Sequence, residues 1–280
     1  MTITLEKTKP EMTQGNDRLA LTQEKNQYGF WQILTIWLAG SALMWIMGWV
    51  IYPALSRNLP VVEAGLLRMK LLTVGLIWQF VLSMLILYLE EGNLRLATIR
   101  RRFWLNNPIS PKSGQKDNRL WWLLIPFLLL VVLLEFAAAP FLNGLWIRLF
   151  PFLAEPPGYS GAALFAPELR TRWIGAWDLL ALQVVLSIFN TFLGEEFLFH
   201  GLLLPKMNGL FGKADWIVNG ILFGLYHLHQ PWGLPGNILS GWLLAYPAKR
   251  YRSNWFPILI HSGQSIFFIV IILGLVLGLA

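Results

Sequence analysis

Apolar runs about as long as a lipid bilayer is thick constrain the fold of this chain more than any other feature. Of its 280 residues, 56% are hydrophobic and only 13% are charged. An average soluble domain carries about 25% charged residues, so this chain has too little polar surface to cover its apolar groups in water. A soluble fold is therefore excluded, and an integral, multi-pass membrane protein is predicted.

Seven apolar runs are predicted to cross the membrane as α-helices, so the expected fold is an all-α, polytopic bundle. The predicted spans are Phe30 to Tyr52, Leu71 to Leu89, Leu120 to Ala139, Trp177 to Leu204, Trp216 to Leu228, Asn237 to Pro247 and Pro257 to Ala280. The fifth and sixth are shorter than the roughly 20 residues that cross the hydrocarbon core. Counts of six and eight spans therefore stay open.

The polar segments divide the chain into regions. We predict a disordered cytoplasmic tail at 1–29, N-terminal membrane spans at 30–139 that include a basic cytoplasmic linker at 90–119, an external loop at 140–176, and a C-terminal membrane domain at 177–280. The tail and the alternate loops that would share its side hold 16 Lys and Arg residues, against 6 on the opposite side. By the positive-inside rule, the N-terminus is predicted to be cytoplasmic.

Two further features concern partners and chemistry. The chain has a net charge of +7. In a membrane protein such an excess of Lys and Arg is typical of cytoplasmic loops, which lie beside anionic lipids. Membrane lipids rather than nucleic acid are therefore the expected partners. The linker could lie on lipid headgroups as a basic amphipathic helix or be an ordinary cytoplasmic loop. The chain contains no cysteine, so any nucleophile or metal ligand must be His, Glu, Asp or a hydroxyl.

Ionisable side chains within the predicted spans gather in the C-terminal third of the chain. Glu195, Glu196 and His200 lie in the fourth span, His227 in the fifth and His261 in the last. Each costs about 2.5 to 3.5 kcal/mol to insert, so each is a functional candidate. At about 1.5 Å of rise per residue, the three helices bring acid and imidazole groups to similar depths from the cytoplasmic side. A carboxylate can deprotonate water there, and imidazoles can polarise it or hold a metal ion.

The residues around these groups form three motifs. They are Gly194-Glu195-Glu196-Phe197-Leu198-Phe199-His200, Phe223-Gly224-Leu225-Tyr226-His227 and His261-Ser262-Gly263-Gln264-Ser265. In this order the chain resembles the CPBP family, the intramembrane CAAX-protease and bacteriocin-processing (Abi) proteins related to type II CAAX prenyl endopeptidases. The resemblance covers about the last hundred residues. It rests on the family pattern E-E-x-x-x-R, F-x-x-x-H and H-x-x-x-N.

The resemblance implies a role for each motif residue. Glu195 would be the general base that activates water, and His227 would assist it. Glu196 would pair with the residue at the arginine position and fix the site geometry. His261, with the polar residue four positions on, would stabilise the oxyanion or contact substrate.

The sequence departs from the family pattern at two positions. His200 stands at the arginine position, where it can still meet Glu196 at i, i+4. Ser265 stands at the asparagine position, with Gln264 just before it, and either is a candidate for an oxyanion or substrate contact. Phe223 is a candidate supporting residue.

The expected function is therefore that of an intramembrane, CAAX-protease-like endopeptidase acting on a peptide or protein in or near the membrane. Some relatives are described as metalloproteases, and the sequence leaves open whether a divalent metal such as zinc takes part. It also leaves open whether the substrate is prenylated. Two alternatives remain: a catalytically silent family member that acts as a membrane scaffold or immunity factor, and a transporter in which the same groups relay protons.

Overall fold

A computed structural model describes residues 27–279, and within that range the chain is helical, with two isolated β-bridges and no longer strand. The helices of seven or more residues are α1 (Phe30–Ser56), α2 (Val61–Glu91), α3 (Leu96–Arg102), α4 (Asn118–Leu149), α5 (Trp177–Lys206), α6 (Asp215–Tyr226), α7 (Leu234–Tyr251) and α8 (Trp255–Val276). Five of them, α1, α2, α4, α5 and α8, are long and apolar enough to cross a membrane. The predicted all-α, polytopic membrane bundle is confirmed.

The predicted fifth and sixth spans form the shorter helices α6 and α7. The 12 residues of α6 extend about 18 Å, which is less than the roughly 30 Å of a hydrocarbon core. The last turn of α7 carries Lys249 and Arg250. Five helices of spanning length are therefore found among residues 27–279, two fewer than predicted.

Two other helices extend beyond the predicted runs. Helix α2 begins at Val61, ten residues before the predicted start, and α4 continues through Leu149. The region predicted as an external loop at 140–176 is thus helical in its first part. The tail predicted at 1–29 lies outside the described residues except for its last three positions.

The basic linker packs partly against the bundle. Arg102 is buried and pairs with Glu90 and with Glu91, and Nη2 of Arg101 lies 2.6 Å from Oε2 of Glu91. These ion pairs hold α3 against the end of α2. Two of the linker's arginines therefore pair with acidic side chains of the protein.

Helices α6 and α7 form a closely packed hairpin because glycines line their contact. A Cβ atom at Gly220 would lie 2.8 Å from the carbonyl carbon of Gly241, and one at Gly224 would lie 2.8 Å from Cα of Ile238. Such backbone proximity is possible only without side chains. The hairpin fixes the end of α6, and His227 follows directly after it.

Helix α5 carries the acidic pair on an irregular backbone. It contains two π-helical stretches, Phe189–Leu193 and Glu196–Leu203, on either side of Gly194 and Glu195. A Cβ atom at Gly194 would lie 2.4 Å from the carbonyl oxygen of Phe189 and 2.7 Å from that of Leu76 on α2. Glycine thus allows α5 to touch the α2 backbone immediately before Glu195.

Candidate active site

Glu196 lies at the centre of a buried cluster of ionisable side chains. Its side chain is fully buried, and Nδ1 of His200, one turn later on α5, donates to Oε2 at 2.7 Å. Nδ1 of His261 on α8 donates to Oε1 at 2.9 Å. The carboxylate therefore joins α5 to α8, and His200 makes the i, i+4 contact expected of the residue at the arginine position.

Glu195 is buried beside this cluster and has one occupied oxygen. Oε1 accepts a hydrogen bond of 3.0 Å from the Tyr226 hydroxyl. Oε2 is buried and has no hydrogen-bond partner among the described residues. The carboxylate thus presents one oxygen fixed by the protein and one whose lone pairs are available for a proton.

His227 follows directly after the last residue of α6. Its Nδ1 lies 2.9 Å from the carbonyl oxygen of Phe223, one turn earlier. Because a carbonyl oxygen can only accept, Nδ1 carries the proton, and in the neutral ring Nε2 keeps its lone pair. The backbone of α6 therefore sets both the ring orientation and the tautomer of His227.

The Phe223 ring separates and supports the imidazoles. Its centroid lies 5.4 Å from that of His200, 5.0 Å from that of His227 and 6.3 Å from that of His261. The three motifs predicted from the sequence therefore meet around one aromatic ring.

Two residues absent from the sequence prediction belong to the cluster. Tyr226 contacts Glu195, and Nδ2 of Asn190 lies 3.3 Å from Nε2 of His261. Tyr226 immediately precedes His227 in the second motif, and Asn190 is an uncharged polar residue in an apolar span. Both residues are uncharged, so neither carries the sequence signal that singled out the Glu and His residues.

Gln264 and Ser265 lie beside a cavity next to the cluster of imidazoles. Both border a cavity of about 260 Å³ between α2, α5 and α8, which Asn190 borders as well. Ser265 is buried, and among the described residues no hydrogen bond joins either side chain to His261. They lie near the cluster without being part of its hydrogen-bond network.

The site offers no preformed metal cage in the described part of the chain. No group of three or more His, Asp or Glu side chains there is arranged to hold a metal ion. Glu196 instead uses both oxygens to accept from His200 and His261.

The membrane bundle brings the buried glutamate and histidine residues of the three motifs together on neighbouring helices. The sequence profile of the family described as Type II CAAX prenyl endopeptidase Rce1-like matches residues 177–267. The matched segment runs from the start of α5 into α8 and contains all three motifs, so it confirms the family resemblance seen in the sequence. No curated protein and no solved structure matches the chain significantly.

Proposed function

We propose that this protein hydrolyses a peptide bond within the membrane, with Glu195 as the base that activates water. The observation that carries the proposal is the state of the Glu195 carboxylate. Oε1 accepts from Tyr226, while Oε2 is buried with no hydrogen-bond partner among the described residues. A buried carboxylate oxygen of this kind is a suitable acceptor for a proton of water.

The first chemical step follows from these contacts. The water oxygen attacks the carbonyl carbon of the substrate, and Oε2 of Glu195 accepts the water proton. The electron pair of the carbonyl double bond moves to its oxygen, which forms a tetrahedral oxyanion. When the carbon–nitrogen bond breaks, Glu195 returns the proton to the leaving amine, so that an acid and an amine are released.

The imidazoles serve this reaction in different ways. His227 has Nδ1–H fixed by the Phe223 carbonyl, so Nε2 is free to accept a hydrogen bond from the attacking water. His261 is held in place by the hydrogen bond from its Nδ1 to Glu196. His200 supplies the second hydrogen bond to Glu196, which keeps that carboxylate from acting as a competing base.

The substrate is expected to be a peptide or protein segment that reaches the buried site from the membrane or its surface. Three motif-bearing helices surround the site, and the cavity beside Asn190 is lined largely by apolar side chains. Such surroundings favour a segment with apolar side chains at the cleaved bond.

The proposal is tested with purified protein in proteoliposomes and a proteome-derived peptide library. New peptide termini are identified by mass spectrometry for the wild type, for Glu195→Gln (E195Q) and for a control, Glu63→Gln (E63Q). Glu63 is a membrane-helix glutamate paired with Arg172, outside the site. We expect the same cleavage products from wild type and E63Q and none from E195Q.

Cleavage by E195Q at the wild-type rate would overturn the assignment of Glu195. A wild-type protein that cleaves nothing, together with an E195Q chain that still complements a deletion strain, would instead support the silent scaffold.

A further inference from the structure

We infer that Asn190 donates the hydrogen bond that stabilises the oxyanion, and that His261 acts by orienting the Asn190 amide. This inference rests on the proposed peptidase function and refines one part of it. The starting observation is that both ring nitrogens of His261 already have protein partners. Nδ1 contacts Glu196 at 2.9 Å, and Nε2 contacts Asn190 at 3.3 Å.

The donor and acceptor roles in these contacts follow for the neutral form of His261, in which one ring nitrogen donates and the other accepts. Glu196 as a carboxylate can only accept, so the proton of neutral His261 is on Nδ1. Nε2 then carries a lone pair and must accept, which requires the amide nitrogen of Asn190 to face it. His261 in this form has no N–H left for a substrate.

Asn190, in contrast, has one N–H group that is not used by His261. Its amide nitrogen carries two N–H bonds, and one is used by His261. No other hydrogen bond joins the Asn190 side chain to the described residues. Its side chain is half-buried and borders the 260 Å³ cavity, so the second N–H can meet a group that enters there.

The position of Asn190 relative to the base fits this role. It lies five residues before Glu195 on α5, in the π-helical stretch Phe189–Leu193, where one turn spans more residues than in an α-helix. Asn190 and Glu195 are therefore about one turn apart along α5. A carbonyl group between them could meet the water on one side and the amide on the other.

The nearby polar residues are less suited to be the donor. Gln264 and Ser265 border the same cavity but make no hydrogen bond to His261 among the described residues, so the cluster does not orient them. A preorganised donor stabilises an oxyanion more than a free one because it needs no reorientation during the reaction. Asn190 is held by the sequence of contacts from Glu196 to His261 to the amide.

In the reaction, water adds to the carbonyl carbon and gives its proton to Glu195. As the carbonyl electrons move to oxygen, the free N–H of Asn190 donates to that oxygen. The hydrogen bond is released when the carbon–nitrogen bond breaks and Glu195 protonates the leaving amine. No oxidant or further reactant is needed.

The test uses the full-length protein in proteoliposomes and one peptide that the wild type cleaves. We compare Asn190→Ala (N190A) and Asn190→Asp (N190D) with Asn143→Ala (N143A). Asn143 on α4 is equally half-buried and accepts a hydrogen bond from the Gly236 amide, away from the site. Loss of one oxyanion donor costs about 10²- to 10³-fold, so we expect kcat of N190A to fall by that factor, with KM little changed.

The similarly shaped N190D keeps the test valid if N190A does not fold, because the aspartate side chain lacks the amide donors. We expect kcat of N190D to fall at least as far as that of N190A and N143A to match the wild type. A kcat of N190A or N190D equal to that of N143A would overturn the inference while leaving the peptidase assignment intact. Cleavage by E195Q at the wild-type rate would instead remove the peptidase assignment itself.

A double variant separates the proposed role of His261 from direct contact with substrate. If His261 acts by orienting Asn190, then His261→Ala combined with N190A should be no slower than the slower single variant. If the fold-decrease in kcat of the double variant equals the product of the two single decreases, His261 and Asn190 contribute independently. That result would overturn the assignment of His261 as a positioning residue.

Discussion

The hydroxyl of Tyr226 donates to Oε1 of Glu195, and this contact determines which carboxylate oxygen stays free. Tyr226 is almost fully buried at the end of α6, directly before His227. The same helix end therefore positions the base and its neighbouring imidazole. In the proposed reaction Tyr226 is a positioning residue.

We expect Tyr226→Phe to lower kcat by about 10- to 100-fold, with little change in KM. A hydrogen bond to a charged group contributes about 1.5 to 3 kcal/mol, and each 1.4 kcal/mol changes a rate about tenfold. Steady-state cleavage of an identified peptide in proteoliposomes measures the effect. Tyr251→Phe is the control, because the Tyr251 ring packs against Phe256 outside the cluster. Equal kcat values for the two variants would contradict the role of Tyr226.

The sequence could reveal the ionisable members of the site but not their uncharged partners. Glu195, Glu196, His227 and His261 are conspicuous because an ionisable group in a span is costly and rare. Tyr226 and Asn190 carry no such signal, since uncharged polar residues are common in membrane helices and often contact only backbone. Their importance depends on which groups they meet across helices, and that requires the fold.

At the level of the elements, the contact between α6 and α7 controls where His227 lies. The glycines at 220 and 224 recur on one face of α6, and backbone atoms of α7 occupy the space that side chains would fill. A larger residue there must push the two helices apart. The end of α6 would then move away from α5 and the acidic pair.

We expect Gly224→Ala to destabilise the protein and to lower its activity. A Cβ atom there would meet backbone as well as side-chain atoms of Ile238, and overpacking of this kind costs about 1 to 3 kcal/mol. Thermal unfolding in detergent should show a lower Tm. Gly144→Ala on α4 should leave Tm unchanged or raised, because nothing lies within 4 Å of its added Cβ. A Tm of G224A equal to that of the wild type would contradict the packing described for the hairpin.

Hydropathy predicted the existence of the five long helices well and their ends less well. The predicted second span started after Lys70, because Arg68 and Lys70 interrupt the apolar run. The helix nevertheless includes Arg68, whose Nη1 donates to the Tyr159 carbonyl oxygen at 2.5 Å and whose guanidinium lies 5.3 Å from the Tyr159 ring. A distant loop thus supplies the partner that a local apolar run cannot show.

For the whole molecule, the shorter helices leave the predicted sidedness unchanged. Nζ of Lys249 near the end of α7 lies 2.9 Å from Oδ2 of Asp215 at the start of α6, so the hairpin returns to the side from which it began. Whether or not α6 and α7 cross the membrane, the remaining helices therefore cross it in the same alternating directions. The cytoplasmic N-terminus stays a prediction of the charge distribution.

The absence of cysteine from the chain makes this topology directly measurable. We expect a membrane-impermeant maleimide to label Ser160→Cys in right-side-out vesicles and to leave Ser113→Cys unlabelled until the vesicles are opened. Both positions are exposed, Ser160 in the segment between α4 and α5 and Ser113 in the linker before α4. The reverse labelling pattern would show that the N-terminus lies outside.

The sequence and the structure also differ in what they say about function. Three short motifs sufficed to predict the family resemblance and the region that carries it, and residues 177–267 match the family profile. The contacts among those motifs required the three-dimensional fold, because the motifs lie on α5, α6 and α8, which are separate in the sequence and meet only in the folded bundle. The free oxygen of Glu195 became visible only in that assembly.

The decisive measurement is the single-turnover rate constant for cleavage of one identified peptide by the wild type and by E195Q in proteoliposomes. The wild type and E195Q must have the same elution volume in size-exclusion chromatography and the same Tm. E63Q serves as the control. General base catalysis contributes about 10²- to 10⁴-fold to a rate. The rate constant of E195Q should therefore be at least about 10²-fold lower than that of the wild type. Equal rate constants for E195Q and the wild type would contradict the assignment of Glu195 as the base.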